Sequence, residues 1–241
     1  MSDPGRYLIG APGKHTRPKT IELRQLTVLQ EYVPVLHEIT LDIFEGESTA
    51  LVGTSEREKH ALLACILGQM QPTQGDIHVL GATLPPLPAA LRRRLGVTPR
   101  LADRQARETV AASLRRFAAY HELRLTDAQI TRYCAHYQLT PTAQVAELSE
   151  LQIRVLALAL ALVHDPRLAL LLEPLTGLIE ADQAALQAYL QRIQSEGRTL
   201  LTTFTPPLAE KFFTGYDLVV RLAQGRLQHL EHEGNSVCKK K

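Results

Sequence analysis

The chain has 241 residues, a length that fits one ordinary domain or a larger domain with an insertion. A chain of this size buries roughly 70% of its unfolded surface, so its core needs neither disulfides nor a metal, and small disulfide-rich proteins are excluded. The 27 basic and 25 acidic residues leave a net charge of +2, which gives no electrostatic reason to expect a nucleic acid partner.

The cysteines and the apolar runs argue for a reducing compartment and against membrane spans. Cys65, Cys134 and Cys238 have no paired spacing. The longest apolar run, 155–163, is much shorter than the ~18 to 20 residues that cross a bilayer. Residues 1–20, rich in glycine, proline and basic side chains, are expected to form a flexible extension rather than a signal peptide, and residues 233–241 a basic tail.

Between these ends, short apolar runs alternate with longer helical patterns. Period-two alternation predicts half-buried strands at 21–26 and 39–43, and solidly apolar runs predict buried parallel strands at 49–52 and 168–172. Apolar spacing of helical period predicts helices at 59–70, 107–120, 127–137, 149–163 and 180–194. The block 100–161 has no convincing strand. We therefore expect an α/β domain over 21–232, with a helical subdomain inserted at about 100–161.

The segment from Leu51 to His60 lies between a predicted buried strand and a predicted helix, the context of a phosphate-binding loop. That motif, G-x-x-x-x-G-K-S/T, supplies backbone N–H groups that wrap phosphates, a lysine that reaches them and a hydroxyl for magnesium. Gly53 and Lys59 fit the motif, whereas Glu58 replaces its second glycine and His60 its hydroxyl. Alone, this match is weak.

The residues that follow make the match specific. The runs Ala61-Leu62-Leu63, Ile66-Leu67-Gly68, Pro72-Thr73-Gln74-Gly75 and Leu80-Gly81 resemble the corresponding stretch of ABC transporter nucleotide-binding domains. The resemblance continues with 148–152 at the LSGGQ signature, 168–174 at the Walker B strand and its "DEP", 176–179 at the "SGLD" loop, and 217–220 with 225–227 at the closing strands. The pattern over 109–123 is most similar to ATPases of ABC-2 type exporters.

This resemblance implies the ABC ATPase fold: a P-loop NTPase-like mixed sheet core with an antiparallel β edge and an inserted helical subdomain. It also implies a head-to-tail pair of such domains, with ATP between one phosphate loop and the other's signature. By the same resemblance, the chain would lie in the cytoplasm on the inner face of the membrane, docked on an integral membrane permease and paired with a second ABC ATPase subunit.

At the positions that carry the family's phosphate and metal chemistry, the side chains are changed. Like charges ~4 Å apart repel by about 4 kcal/mol at an effective dielectric of ~20, so Glu58 could weaken phosphate binding roughly a thousandfold. His60 and Leu172 replace the hydroxyl and the Walker B aspartate, so both magnesium anchors are lost and we expect no metal site. Further lost positions are Arg100 (Q-loop), Pro206 (switch histidine), Ile179 (D-loop) and Glu150 (signature).

A few positions still match the family. Glu173 matches the catalytic base, although a residual capping or surface carboxylate is the favoured role. The weak candidates for nucleotide contacts are Gly53, Lys59, Ser149 and Tyr32, the last because Gln30 occupies the usual adenine-stacking position. Lys59 could instead be a plain helix-start lysine, and Ser149 is expected to cap its helix whether or not ATP binds.

Three functions remain open at this point. The leading one is a degenerate, pseudo-ATPase subunit of an ABC transporter that requires no cofactor and binds Mg-ATP weakly or not at all. The second is an active ATPase that powers export, in which Lys59 and Glu173 suffice and His60 or Glu56 contacts the metal. The third is a soluble scaffold or regulator that uses the ABC surface for protein contacts, or the arginines of 92–94 and 115–116 to contact an acidic partner.

Overall fold

The computed structural model describes residues 17–99, 101, 108–207 and 210–229. These residues fall into two compact units: the described residues up to 87 together with those from 205 onward form the first, and those between 88 and 204 form the second. Among the described residues, no helix combines the length and the hydropathy needed to span a bilayer.

Along the chain, the strands of the first unit come before and after those of the second. In chain order the elements are β1 (Lys19–Gln30), β2 (Val33–Phe44), β3 (Ser48–Gly53), α1 (Glu56–Ile66), β4 (Gln74–Val79), β5 (Ala82–Leu84), α2 (Ala89–Arg92), β6 (Leu95–Val97), α3 (Val110–Tyr120), α4 (Asp127–His136), α5 (Glu150–Leu162), β7 (Leu168–Leu171), α6 (Glu180–Ser195), β8 (Thr199–Phe204), β9 (Leu218–Ala223) and β10 (Arg226–His229). Short 3-10 helices lie at Val145–Glu147 and Glu210–Phe213.

The first unit contains an antiparallel sheet in the order β2-β1-β4-β5. The strands predicted at 21–26 and 39–43 are confirmed within β1 and β2, and both are longer than predicted. Their alternating apolar residues, such as Ile21 and Leu41, are fully buried. Because β1 begins at Lys19, it includes the last two residues of the segment that the sequence assigned to an extension.

The same unit holds the strand that leads into the phosphate-loop segment. β3 is buried at every residue, as its apolar run predicted, and pairs in parallel with β9, which in turn pairs antiparallel with β10. Gly53 ends β3 opposite Leu222, and a Cβ on Gly53 would lie only 2.9 Å from the Leu222 carbonyl oxygen. The glycine is therefore needed for close packing of these two strands, independently of any ligand.

The second unit has a parallel arrangement of β6, β7 and β8 and contains the described part of the predicted helical block. The helices predicted at 127–137, 149–163 and 180–194 are confirmed within a residue at each end. Position 107, the predicted start of the helix over 107–120, lies outside the described residues. Because the unit runs over 88–204 and includes three strands, it is larger than the helical insertion predicted at 100–161.

Helix α5 is the centre of this unit, since nearly all of its residues from Val155 to Leu162 are fully buried. Gly96 of β6 allows this packing, because a Cβ there would lie 2.1 Å from the Ala161 carbonyl oxygen and 2.7 Å from Pro166 Cγ. Just beyond α5, the ring of His164 stacks on that of His121, with centroids 3.5 Å apart and planes 3° apart. Burial lowers the pKa of His164 to about 4 and also lowers that of His121.

Candidate functional site

The phosphate-loop segment is folded as the capped beginning of a helix. Helix α1 starts at Glu56, three residues before the predicted start, because Ser55 forms its N-cap: the Ser55 hydroxyl accepts a hydrogen bond from the Glu58 N–H at 3.2 Å. The Lys59 N–H donates to the Ser55 carbonyl at 3.1 Å, an ordinary helical bond. These two N–H groups, which the motif would direct at phosphate oxygens, are satisfied within the chain.

Lys59 is the motif residue with the most defined surroundings. Its side chain is only 2% exposed, and its Nζ lies 2.6 Å from Glu56 Oε1, one helical turn earlier. The same Nζ donates to the Thr205 hydroxyl at 2.5 Å, and that hydroxyl donates to Glu56 Oε1 at 3.1 Å. The ammonium group, the carboxylate and the hydroxyl therefore form a closed triangle within the first unit.

Sequence reasoning missed this triangle. The sequence motif suggests only a metal contact for Glu56, and it gives no link between Thr205 and Lys59. The i, i+3 spacing of Glu56 and Lys59 was a local signal that could have suggested the ion pair. The contact with Thr205 spans 146 positions of the chain, so no local pattern could have revealed it.

The two substituted motif positions beside Lys59 differ in their surroundings. Glu58 is partly buried, and its Oε2 has no hydrogen-bond partner among the described residues. His60, at the position of the magnesium hydroxyl, is exposed. Pro206, near the position of the switch histidine, follows Thr205 directly and has no side-chain donor.

The predicted adenine side of the site is occupied by a contact within the chain. The Gln30 amide oxygen accepts a hydrogen bond from Arg57 Nε at 2.9 Å, so the stacking position is joined to the first turn of α1. Tyr32 lies at the tip of the β1–β2 hairpin in a left-handed conformation with φ 64°, and its side chain is 97% exposed. Among the described residues of the first unit, no side chain therefore holds Tyr32 in place as an adenine platform.

The second unit carries the Walker B position just beyond the end of β7. Leu172 offers no oxygen ligand through its side chain, and its N–H donates to the Thr98 hydroxyl at 2.8 Å. Glu173 has a left-handed backbone with φ 46°, and its N–H donates to the Thr203 hydroxyl at 3.0 Å. The Glu173 carboxylate accepts a hydrogen bond from the Thr176 hydroxyl at 2.9 Å, so its Oε2 is held by its own loop.

The signature position forms the start of α5. Ser149 is the N-cap, and it forms a capping box with Gln152: the Ser149 hydroxyl accepts from the Gln152 N–H at 3.2 Å, and the Ser149 N–H donates to Gln152 Oε1 at 2.9 Å. The predicted capping role of Ser149 is confirmed. Glu150 lies exposed in the first turn of α5, and Ile179, at the D-loop position, caps α6 without a side-chain hydrogen bond and is 69% exposed.

Taken by unit, the predicted residues divide between two places in the chain. The first unit brings together Gly53, Glu58, Lys59 and His60 around the start of α1. The second unit holds Leu172 and Glu173, together with Ser149, Glu150 and Ile179. Arg100 lies outside the described residues. Over the described ranges, no group of three or more histidine, cysteine or acidic side chains is placed to hold a metal ion.

Comparison with known proteins gives a consistent family assignment. The family model described as ABC transporter matches residues 36–176. The Nod factor export ATP-binding protein I of Rhizobium meliloti is 30% identical over 190 residues, which are 76% of this chain and 57% of that protein. A putative ABC transporter ATP-binding protein of Streptomyces coelicolor is 31% identical over 219 residues, 87% of this chain and 37% of that protein. The chain thus spans about half the length, or less, of the relatives it matches.

Solved structures support the same fold. A nucleotide-free ATP-binding cassette from an ABC transporter aligns with a TM-score of 0.74 and 14% identity, covering 87% of this chain and 90% of the other. A dimeric cassette bound to ADP and Pi aligns with a TM-score of 0.71 and 17% identity, covering 88% of this chain and 99% of the other. The architecture predicted from the sequence is therefore confirmed.

Proposed function

Because the chain belongs to the ABC transporter family, we propose that it is a nucleotide-binding subunit of an ABC exporter whose own phosphate site has lost tight Mg-ATP binding. In this role it keeps the cassette fold in order to dock on a membrane permease at the inner face of the membrane. It pairs there with a second ABC ATPase subunit that supplies the hydrolysis. The export-related names among its relatives support the transport direction.

One observation carries the loss of phosphate binding: the phosphate-loop segment is wound into the first turn of α1. Ser55 takes the Glu58 N–H and the Lys59 N–H, so neither is directed at a ligand. A phosphate-binding loop works because consecutive N–H groups form an open concavity for the anion. A capped helix start has no such concavity, and the carboxylate of Glu58 adds repulsion toward any approaching phosphate.

The side chains at the two magnesium positions do not fit the metal. Magnesium prefers oxygen ligands in near-ideal octahedral geometry. His60 offers ring nitrogens and is exposed, while Leu172 offers a hydrocarbon side chain. Hydrolysis in this family of reactions depends on a metal that neutralises charge on the phosphates. Glu173, the residual candidate for a catalytic base, would have no positioned substrate.

The signature end supports the same proposal for the partner's half of a paired site. Glu150 lies in the first turn of α5, where its carboxylate interacts favourably with the helix N-terminus. That favourable position makes the acid a stable feature of the signature, and it would repel the phosphates of an ATP bound by the partner. We therefore expect a chain that contributes its docking surface and not its catalytic groups.

The proposal is tested by nucleotide binding and by co-purification. A ligand at 100 times its Kd stabilises a protein by about 2.7 kcal/mol, so tight binding of Mg-ATP would raise the melting temperature. Because we propose that tight binding is lost, we expect excess Mg-ATP to leave the melting temperature unchanged. Lys59→Met is the matched control, because it removes the motif ammonium. Purification from native membranes should recover the chain together with an integral membrane protein and a second ATPase.

Two results would contradict the proposal. Mg-ATP stabilisation that disappears in Lys59→Met would restore the active ATPase as the better function, and the constrained Glu173 would then be the residue to examine as its base. Recovery of the chain only from the soluble fraction, without a permease, would favour the scaffold or regulator.

A further inference from the structure

The second unit contains a pocket at some distance along the strands from the predicted catalytic position. Its cavity has a volume of about 500 Å³, within the roughly 300 to 1,000 Å³ of typical ligand sites. Four of its lining residues are spaced three or four apart and so share one face of α4: Gln129, Arg132, Tyr133 and His136. Arg198 also lines the pocket and directly precedes β8, whereas Glu173 follows the end of β7, which runs parallel to β8. The pocket therefore lies near the amino ends of these strands, and the Walker B position lies beyond their carboxyl ends.

The aromatic wall of the pocket is held in place by contacts within the unit. The Tyr133 hydroxyl donates to a carbonyl oxygen of α5 at 2.8 Å, and the ring centroids of Tyr133 and Tyr137 lie 5.0 Å apart. The guanidinium carbon of Arg192 lies over the Tyr137 ring, 5.6 Å from its centroid. Leu125 and Val163 add aliphatic surface to the same cavity. Because this wall is formed without a ligand, binding against it costs little ordering of side chains.

The charges of the lining leave one guanidinium group without a carboxylate partner among the described residues. Arg198 is paired twice, with Glu196 Oε2 at 2.8 Å and with the exposed Asp165, which does not line the pocket. Arg132 is exposed and forms no ion pair within the same part of the chain. His136 Nε2 lies 3.9 Å from Glu196 Oε1 and adds positive charge only when it is protonated. The lining thus has two guanidinium groups against one carboxylate, which favours a ligand with a single negative charge, because Glu196 would repel a dianion more strongly.

We propose that this pocket binds an aromatic monocarboxylate, with its ring beside Tyr133 and Tyr137 and its carboxylate on Arg132. Tyrosine rings attract a further aromatic ring through edge-to-face and offset contacts. A carboxylate is planar and accepts two parallel N–H bonds from one guanidinium group. Bound there, the ligand bridges α4 and the residues that follow α6. Such a site goes beyond the proposed function and does not depend on it, since every lining residue belongs to the second unit.

The test is isothermal titration calorimetry of the full chain with naphthoate as the probe. Naphthylmethanol is the uncharged analogue with the same rings, and acetate carries the charge without the rings. Naphthoate should bind saturably, naphthylmethanol about tenfold more weakly, and acetate not measurably. Arg132→Gln should weaken naphthoate binding about tenfold and leave naphthylmethanol binding unchanged. Arg124→Gln is the matched control and should change neither, because Arg124 is exposed just before α4 and does not line the pocket.

Leu125→Trp tests the location, because the larger side chain fills the cavity from a half-buried position. It should abolish naphthoate binding while the far-ultraviolet circular dichroism stays unchanged. Should this variant fail to fold, the comparison of Arg132→Gln with Arg124→Gln decides the location. Absence of saturable naphthoate binding overturns the inference, as does equally tight binding of naphthylmethanol or acetate. An equal loss in Arg124→Gln, or retained binding in a folded Leu125→Trp, also overturns it. None of these results bears on Mg-ATP binding, so the proposed function is tested separately.

Discussion

The unequal burial of Glu56 and Lys59 predicts that the two halves of one ion pair differ in their effect on stability. At 2.6 Å and an effective dielectric of ~20, the gross attraction is about 6 kcal/mol, most of which is offset by dehydration of the ammonium. Glu56→Ala takes this carboxylate away from the buried Lys59 ammonium. Since exposed pairs contribute about 0 to 1 kcal/mol and breaking buried pairs costs about 3 to 5, we expect a loss of roughly 1 to 3 kcal/mol.

Lys59→Met should cost less, below about 1 kcal/mol, because methionine fills the apolar path of the lysine stem and the remaining Glu56 is already largely hydrated. Urea denaturation at constant pH measures both free energies of unfolding, and thermal scans should show shifts of roughly 2 to 4 °C per kcal/mol. Glu58→Ala is the control: it removes a carboxylate oxygen without a hydrogen-bond partner and should be neutral or stabilising. A larger loss in Lys59→Met than in Glu56→Ala would refute the reasoning.

Three further predictions concern the second unit. Gly96→Ala should destabilise the chain by about 1 to 3 kcal/mol or more, because the added Cβ lies 2.1 Å from the Ala161 carbonyl oxygen; urea denaturation measures this, and an unchanged midpoint would contradict the packing. Ser149→Ala should cost about 0.5 to 2 kcal/mol through loss of the α5 cap, with Ser149→Asn as the cap-preserving control, and equal losses in both would argue against capping. Burial lowers the pKa of His164, which lies beside His121, to about 4. As the pH falls, His164 therefore takes up a proton in the unfolded chain before it does so in the folded chain. The stability that comes from burying neutral His164 is complete above about pH 6.5 and is lost as the pH falls toward 4. With a discount for its exposed part, roughly 1 to 2 kcal/mol should disappear over that range, and His164→Gln should flatten the slope of the free energy of unfolding against pH; an unchanged slope would assign the loss to other groups.

The sequence predicted the architecture well because the fold depends on patterns that are local and redundant. The apolar run of β3, the alternation in β1 and the buried face of α5 each appear in the order of residues, and the structure confirms all three. The capping role of Ser149 was also readable, since a serine followed three residues later by glutamine is a capping-box pattern.

The site was less readable because its decisive contacts join residues that are distant in the chain or depend on backbone conformation. Nothing in the local sequence places Thr205 beside Lys59. The early start of α1 depends on Ser55, whose capping competes with the open loop that the motif led us to consider. Tyr32 is near Gln30 in sequence but is almost fully exposed. It lies in the turn of a hairpin, where its left-handed backbone conformation separates its surroundings from those of Gln30 at the end of β1.

The helical winding at the start of α1 limits what point reversions can achieve. Exchanging Glu58 for glycine and His60 for a hydroxyl residue would restore the residues of the motif. The Ser55 hydroxyl would still cap the first turn of α1. An engineered return to ATP use would have to uncoil that turn, which means replacing Ser55 as well. In this chain, the family's phosphate chemistry therefore depends on main-chain conformation as much as on side chains.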